Sequence, residues 1–318
     1  MTLRGLYALL LSATACGAFS ANEPGAPAAA DSGAPQPGAP VVVASDVGVQ
    51  GLLASRDRLA WLASDKLWVR RGSEAAYLAA EAEELPVPGH MTIDGDDLYF
   101  SSGSLITHCA ITGAFCPKDS PIPGLNDIGP LAVRDRTLML TNSPGPGPVL
   151  YACPLPGCGS GPTLIAPLGG APTRMVATIG ATMVSLLEGT SSNTSIVKYV
   201  GSAATTLASD VKALTGLATD GTTLYWTDAG DGAVRSCPVQ GGPIRDLATG
   251  RAGPLEVAVD GTRLYWLEAN AGKVIACELP DCAAPASIAD VKKPSHLAVG
   301  DRVYYASDED RAIYAVAK

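Results

Sequence analysis

Only three histidines occur in the sequence, and two stand at the same place in a repeated segment, His90 ahead of Met91 and His296 ahead of Leu297. Glu256, ahead of Val257, takes that place in a third copy. Imidazole nitrogens and a carboxylate gathered on one surface can hold a divalent metal, or share proton transfer as base and acid. The competing reading is that each hydrogen-bonds the loop backbone beside it. In the other copies the place falls to Gly51, Pro130, Met175 and Gly216, so most copies bring no chemistry to it. Glu188, Asp228, Asp231, Glu268, Asp308, Glu309 and Asp310 fall in loops expected on the same surface. An acidic rim of that kind would favour cations or basic ligands, and solvated loops are the alternative. The spacing of Asp228 and Asp231 does not match a calcium loop.

The cysteines carry a second pattern. Six of the eight form local pairs, Cys109 with Cys116, Cys153 with Cys158 and Cys277 with Cys282. Each pair flanks a turn, where two side chains can approach to bonding distance. A zinc site would need thiolates from separate copies to converge, so the pairs are read as disulfides. Cys237 matches the first member of a pair but meets Gly242 in place of a partner, which makes it a free thiol. The sequence shows no phosphate-binding Gly-Lys-Ser/Thr loop, His-Glu-x-x-His helix, dinucleotide fingerprint or nucleophile elbow. The third histidine, His108, has no evident acidic partner.

These residues are carried by an internal repeat. Leu217 to Trp226 and Val257 to Trp266 read alike as an apolar stretch, Asp-Gly-Thr, then Leu-Tyr-Trp, and Met91 to Phe100 is close to them. Weaker copies are Leu52 to Trp61, Leu131 to Leu140, Leu297 to Tyr305 and, most diverged, Met175 to Ser185. The recurrent anchor falls at Leu59, Leu98, Leu138, Met183, Leu224, Leu264 and Val303, which gives seven units of about forty residues. In each unit a short apolar strand meets a tight turn and a second strand rich in Leu, Tyr and Trp, and two further strands follow. Four antiparallel strands in forty residues make one blade of a β-propeller. The expected fold is therefore all-β, a seven-bladed propeller over residues 41–318. Residues 41–47 resemble an orphan fourth strand and should complete the last blade, closing the ring and removing exposed strand edges.

Tyr225-Trp-Thr-Asp228 resembles the YWTD repeat of lipoprotein-receptor propellers, and the repeat region as a whole resembles bacterial relatives of the YWTD and NHL propellers. That resemblance implies an extracellular or exported binding module; some lyases and lactonases occur among similar propellers.

Arg4, the apolar run Leu6 to Leu11 and the small residues Ala13 to Ala15 make residues 1–15 a secretory signal. Cys16 follows in the manner of a degenerate lipobox, so residues 16–40 are read as a lipidated cysteine and an Ala, Gly and Pro-rich tether. The expected product is a membrane-anchored lipoprotein facing the periplasm or cell surface, with secretion as the alternative. The chain carries a net charge of −9 without any large basic cluster, which argues against nucleic acid. The function read from all this is a monomeric, non-enzymatic scaffold that takes a protein or small ligand at the channel mouth. Candidate contacts are His90, Glu256, His296, Asp228, Asp231 and Glu268. No cofactor is expected in that reading, and the membrane is met only through the lipid. The alternative is a metal-assisted lyase or lactonase using His90, His296 and Glu256.

Overall fold

The repeat is explained by a hairpin that closes on its own residues. Gly221 and Gly261 adopt φ of +100° and +94°, the backbone region where a Cβ is unfavourable. The preceding Asp220 then accepts the N–H groups of Thr222 and Thr223 at 2.7 and 2.8 Å and the hydroxyl of Tyr225 at 2.9 Å. Asp260 does the same with Thr262, Arg263 and Tyr265. Burial alone would raise the Asp220 carboxyl, but these donors hold it below the usual carboxylate range. One short motif thus supplies the turn, its cap and the anchor of the next strand.

The structure is a computed structural model describing residues 38–63, 66–80, 88–102, 105–111, 125, 128–143, 147–155, 161–178, 180–187 and 194–318. The expected signal, Cys16 and all but the end of the tether lie outside the described residues, as do Glu188, Cys116 and Cys158. The described strands form seven antiparallel sheets. Blade 1 runs from its inner strand outwards as Val49–Ser55, Arg58–Ala63, Lys66–Arg71 and Tyr77–Ala80. Blade 2 is described over Pro88–Asp94, Asp97–Ser102 and Leu105–Ala110. Blade 3 holds Ile128–Arg134, Thr137–Asn142, Val149–Pro154 and Thr163–Pro167, and blade 4 holds Pro172–Thr178, Ala181–Leu187, Thr194–Val200 and Ala203–Val211. Blade 5 is Leu214–Thr219, Thr223–Asp228, Ala233–Pro238 and Arg245–Ala248, and blade 6 is Pro254–Val259, Arg263–Glu268, Lys273–Glu278 and Ala286–Asp290. In blade 7, Pro294–Val299, Val303–Ser307 and Ala312–Val316 are completed by Val41–Ser45 from the other end of the chain.

Each inner strand neighbours those of the blades on either side, and blade 7 meets blade 1, so the inner strands form a closed ring around an axis. The N-terminal strand locks that ring: Val41 pairs with Ala315 and Ser45 with Ala312, and the N–H of Val47 donates to the carbonyl of Arg311. The core is divided among the seams between blades. Leu264 and Trp266 of blade 6 pack against Tyr225 and Val234 of blade 5, and Leu224 and Trp226 pack back onto Met183 and Ile196 of blade 4. A second strand buried on both faces explains the consecutive apolar positions in the sequence.

Blade 4 departs from the expected register by one residue. Thr178 pairs with Ala181 to close its hairpin, so Thr182 faces Ala177 just as Leu224 faces Thr219 in blade 5. Val184 and Leu186 then turn toward blade 3, while Met183 turns toward blade 5. The anchor of this blade is the buried Thr182, and an alignment on apolar residues settles on Met183 beside it.

Candidate functional site

Where each inner strand begins, its pairing with the second strand slips by one residue. The slip lies between Val49 and Gly51, Pro88 and Met91, Pro172 and Arg174, Leu214 and Gly216, Pro254 and Val257, and Pro294 and Leu297. In blade 3 it falls opposite Thr141, between the pairs of Leu140 and Asn142. A bulge places two residues opposite one, bends the strand and re-aims a side chain. Repeated around the ring, it carries Gly51, His90, Pro130, Arg174, Gly216, Glu256 and His296 to the mouth of the channel.

Buried hydroxyls on the second strands hold the bulged backbone. Ser101 accepts the N–H of His90 at 3.2 Å, and Thr141 donates to the carbonyl of Pro130 at 3.5 Å. In blade 5 the grip extends to the next blade, since Thr215 donates to the carbonyl of Pro254 at 2.8 Å and Thr227 to that of Leu255. A Cβ on Gly216 would stand 2.7 Å from the N of Val257, so glycine is required there for blades 5 and 6 to meet. The mouth is thus a fixed backbone ring carrying a few variable side chains.

Glu256 does not join the histidines. Its carboxylate takes the guanidinium of Arg174 at 3.1 Å, across the gap left by Gly216, with Arg174 37% and Glu256 22% exposed. Arg174 is the blade 4 counterpart of His90 and His296, in the place expected for Met175; the one-residue register shift hid it from the sequence. His90 and His296 are half-buried on blades 2 and 7, the two neighbours of blade 1, where the equivalent residue is Gly51. Among the described residues no group of three or more His, Cys, Asp and Glu is placed to hold a metal ion, so the trio is not assembled as a ligand set.

The acidic loop residues are engaged elsewhere. Asp228 is fully buried and accepts the N–H groups of Ala213, Gly230 and Asp231 at 3.1 to 3.2 Å, together with the Arg235 guanidinium at 2.9 Å. Asp231 bridges Lys212 and Arg235, and the Lys212 ammonium and then Arg235 hold its carboxyl below the usual range. Glu268 is buried against the Trp266 indole N–H at 3.2 Å and the Arg251 guanidinium at 2.5 Å. Asp310 pairs with Lys292 at 3.1 Å. Among the described residues most of this charge staples one loop to the next. His108, for its part, has an acidic partner in Asp97 at 2.7 Å and stacks on Tyr99, on the face opposite the mouth.

The disulfide between Cys277 and Cys282 is formed, with their Cα atoms 5.0 Å apart. Cys109 and Cys153 are disulfide-bonded as well, and their expected partners lie outside the described residues. Cys237 is a buried free thiol, which burial pushes up to about 11.

With this geometry, solved structures of several kinds share the architecture. Virginiamycin B lyase from Staphylococcus aureus superposes with a TM-score of 0.67 at 13% identity, over 88% of this chain and 98% of that one. A chain of the nidogen/laminin complex gives 0.52 at 18% identity, over 75% and 93%. The calcium-binding protein regucalcin from Agrobacterium tumefaciens gives 0.51 at 15%, over 73% and 90%. What they share with this chain is the fold. The YWTD-type and NHL-type resemblance read from the repeat holds at that level. No protein-family model and no curated protein sequence matches the chain.

Proposed function

We propose that this protein is an exported propeller, anchored to a membrane through a lipid on Cys16, that binds a ligand or partner at its channel mouth without catalysing a reaction. The Arg174–Glu256 ion pair is the observation that carries this reading. Glu256 is the only carboxylate among the residues that the bulges bring to the mouth, and a guanidinium neutralises it. A metal-assisted lyase or lactonase would need that carboxylate free beside His90 and His296. The signal-like residues 1–15 and the Ala and Pro-rich stretch after Cys16 support export and tethering.

Two experiments separate the parts of the proposal. Cys16→Ser should release the protein from the membrane fraction with its thermal unfolding unchanged; retention on the membrane would reject the lipid anchor. A thermal-shift panel of small amines, carboxylates, amino acids and metal salts tests the mouth. A ligand of this site should stabilise the parent and lose that effect in Arg174→Gln and Glu256→Gln. Stabilisation by a divalent metal that His90→Ala and His296→Ala abolish would restore the enzyme reading.

A further inference from the structure

We infer that the cleft between blades 7 and 1, on the hairpin face opposite the channel mouth, is a binding site for a phosphate-type oxyanion. This goes beyond the mouth reading and does not depend on it. The starting point is a departure from the repeat. Opposite the anchor of the second strand, blades 2, 3, 5 and 6 place a cysteine: Leu98 faces Cys109, Leu138 faces Cys153, Leu224 faces Cys237 and Leu264 faces Cys277. A tyrosine from the preceding blade packs into that wall, as Tyr99 does beside Cys153 and Tyr225 beside Cys277. In blade 1 the same slot, opposite Leu59, holds Arg70.

The seam between blades 7 and 1 holds a cleft of about 300 Å³, lined by Arg70 and Ser73 of blade 1, by Asp301, Arg302 and Tyr304 of blade 7, and by Val41 of the closing strand; a cleft of about 270 Å³ lies at the equivalent place between blades 2 and 3, so the departure in blade 1 lies in the arginine that enters it. Arg70 donates through Nε to the carbonyl of Gly72 at 3.0 Å, which steadies its stem and leaves the two Nη groups for a ligand. Neither Arg70 nor Arg302 forms an ion pair among the described residues. The one carboxylate in the cleft, Asp301, accepts the Tyr304 hydroxyl at 2.6 Å. Both guanidiniums line this one cleft beside the Tyr304 hydroxyl. Two arginines against one occupied carboxylate leave a positive surplus, and guanidinium forks match the oxygens of a phosphate group.

The phosphate can come from a soluble monoester or from a lipid headgroup, since the cleft wall includes the strand that continues back to the tether. The test uses the full chain with Cys16→Ser, so that no lipid anchor contributes. Titration with inorganic phosphate and with glycerol 3-phosphate should give saturable binding that weakens as salt is raised. Arg70→Gln and Arg302→Gln should each weaken it about tenfold or more, Arg70→Lys should weaken it as well, and Arg245→Gln on blade 5 should leave it unchanged. Flotation with phosphatidylcholine vesicles, with and without phosphatidylglycerol, assigns the source: recruitment that needs the anionic lipid and both arginines marks a headgroup site, and binding of the monoester alone marks a soluble ligand. Absence of saturable binding in every arm, or binding indifferent to both arginines in correctly folded variants, would overturn the inference.

Discussion

Blades 4 and 5 are neighbours in the ring and reach the same four-stranded outline by different means. Blade 5 is stapled at both ends: Asp220 caps its hairpin and holds Tyr225, and the buried Asp228 gathers loop N–H groups and Arg235. Its second strand carries a fully buried Trp226. Blade 4 has Val184 where blade 5 has Trp226, a buried Thr182 for an anchor, and a hairpin in which Thr178 donates to the carbonyl of Ala181 at 3.4 Å. The outline of a blade thus depends on which residues alternate toward the previous and the next blade. The polar staples are local additions. A blade can drop them and even shift its register against the repeat while still delivering a side chain, here Arg174, to the mouth.

The largest expected effect comes from breaking what both blades depend on, the closure of the ring. Removing residues 41–45 would leave Ala312–Val316 as an open edge in blade 7, and the product should aggregate or fail to give a cooperative melt. Removing residues 17–35 should leave the melt unchanged. Equal damage from both deletions would show that the N-terminal strand is not the closing element.

Next come the cores that distinguish the two blades. Trp226→Ala should cost about 3–5 kcal/mol in urea unfolding. Val184→Ala, at the equivalent place in blade 4, should cost about 2 kcal/mol. Equal losses would mean that the two seams are filled alike despite the difference in side-chain size.

The staples themselves should show in the acid limb of stability. Asp220 and Asp260 have carboxyls held below their usual range in the fold. A depressed folded pKa contributes stability that is present above the unfolded carboxylate value of about 3.9 and is lost as the pH falls through the folded pKa. Asp220→Asn should therefore flatten the fall in urea midpoint below about pH 4, and Tyr225→Phe should cost about 1 kcal/mol near neutral pH. An unchanged acid limb in Asp220→Asn would remove the hairpin circuit from the account. The smallest effect belongs to Cys237. Its thiol should resist a thiol-reactive probe in the native protein and react once on unfolding, and native labelling would contradict its burial.

Much of this organisation was legible in the residues. The Asp-Gly turns and the Leu-Tyr-Trp strands are local features, so the seven units and the strand exchange at residues 41–47 followed from spacing alone. The Cys277–Cys282 pair was legible for the same reason, because it closes within one turn. Arg174 was not: its place depends on the register of a blade whose anchor is a threonine, and an apolar pattern cannot find a buried hydroxyl. Nor was the fate of Asp228 and Glu268 legible. Their partners, Lys212, Arg235 and Arg251, belong to other strands and loops, and composition alone cannot distinguish a solvated acidic loop from a buried staple.

The proposed binding role requires that the polar side chains on the bulge ring contribute little to folding, whereas the buried acids beside them are structural. Thermal and urea unfolding of a variant carrying His90→Gln, Arg174→Gln, Glu256→Gln and His296→Gln together tests it directly. The ion pair it loses is half-exposed, so the variant should lie within about 1 kcal/mol of the parent. Asp228→Ala alone, which leaves the loop N–H groups of Ala213, Gly230 and Asp231 without their acceptor, should cost about 3–5 kcal/mol. A rim variant that unfolds as readily as Asp228→Ala would show that the mouth residues hold the propeller together, and would contradict the proposal that they form a binding surface.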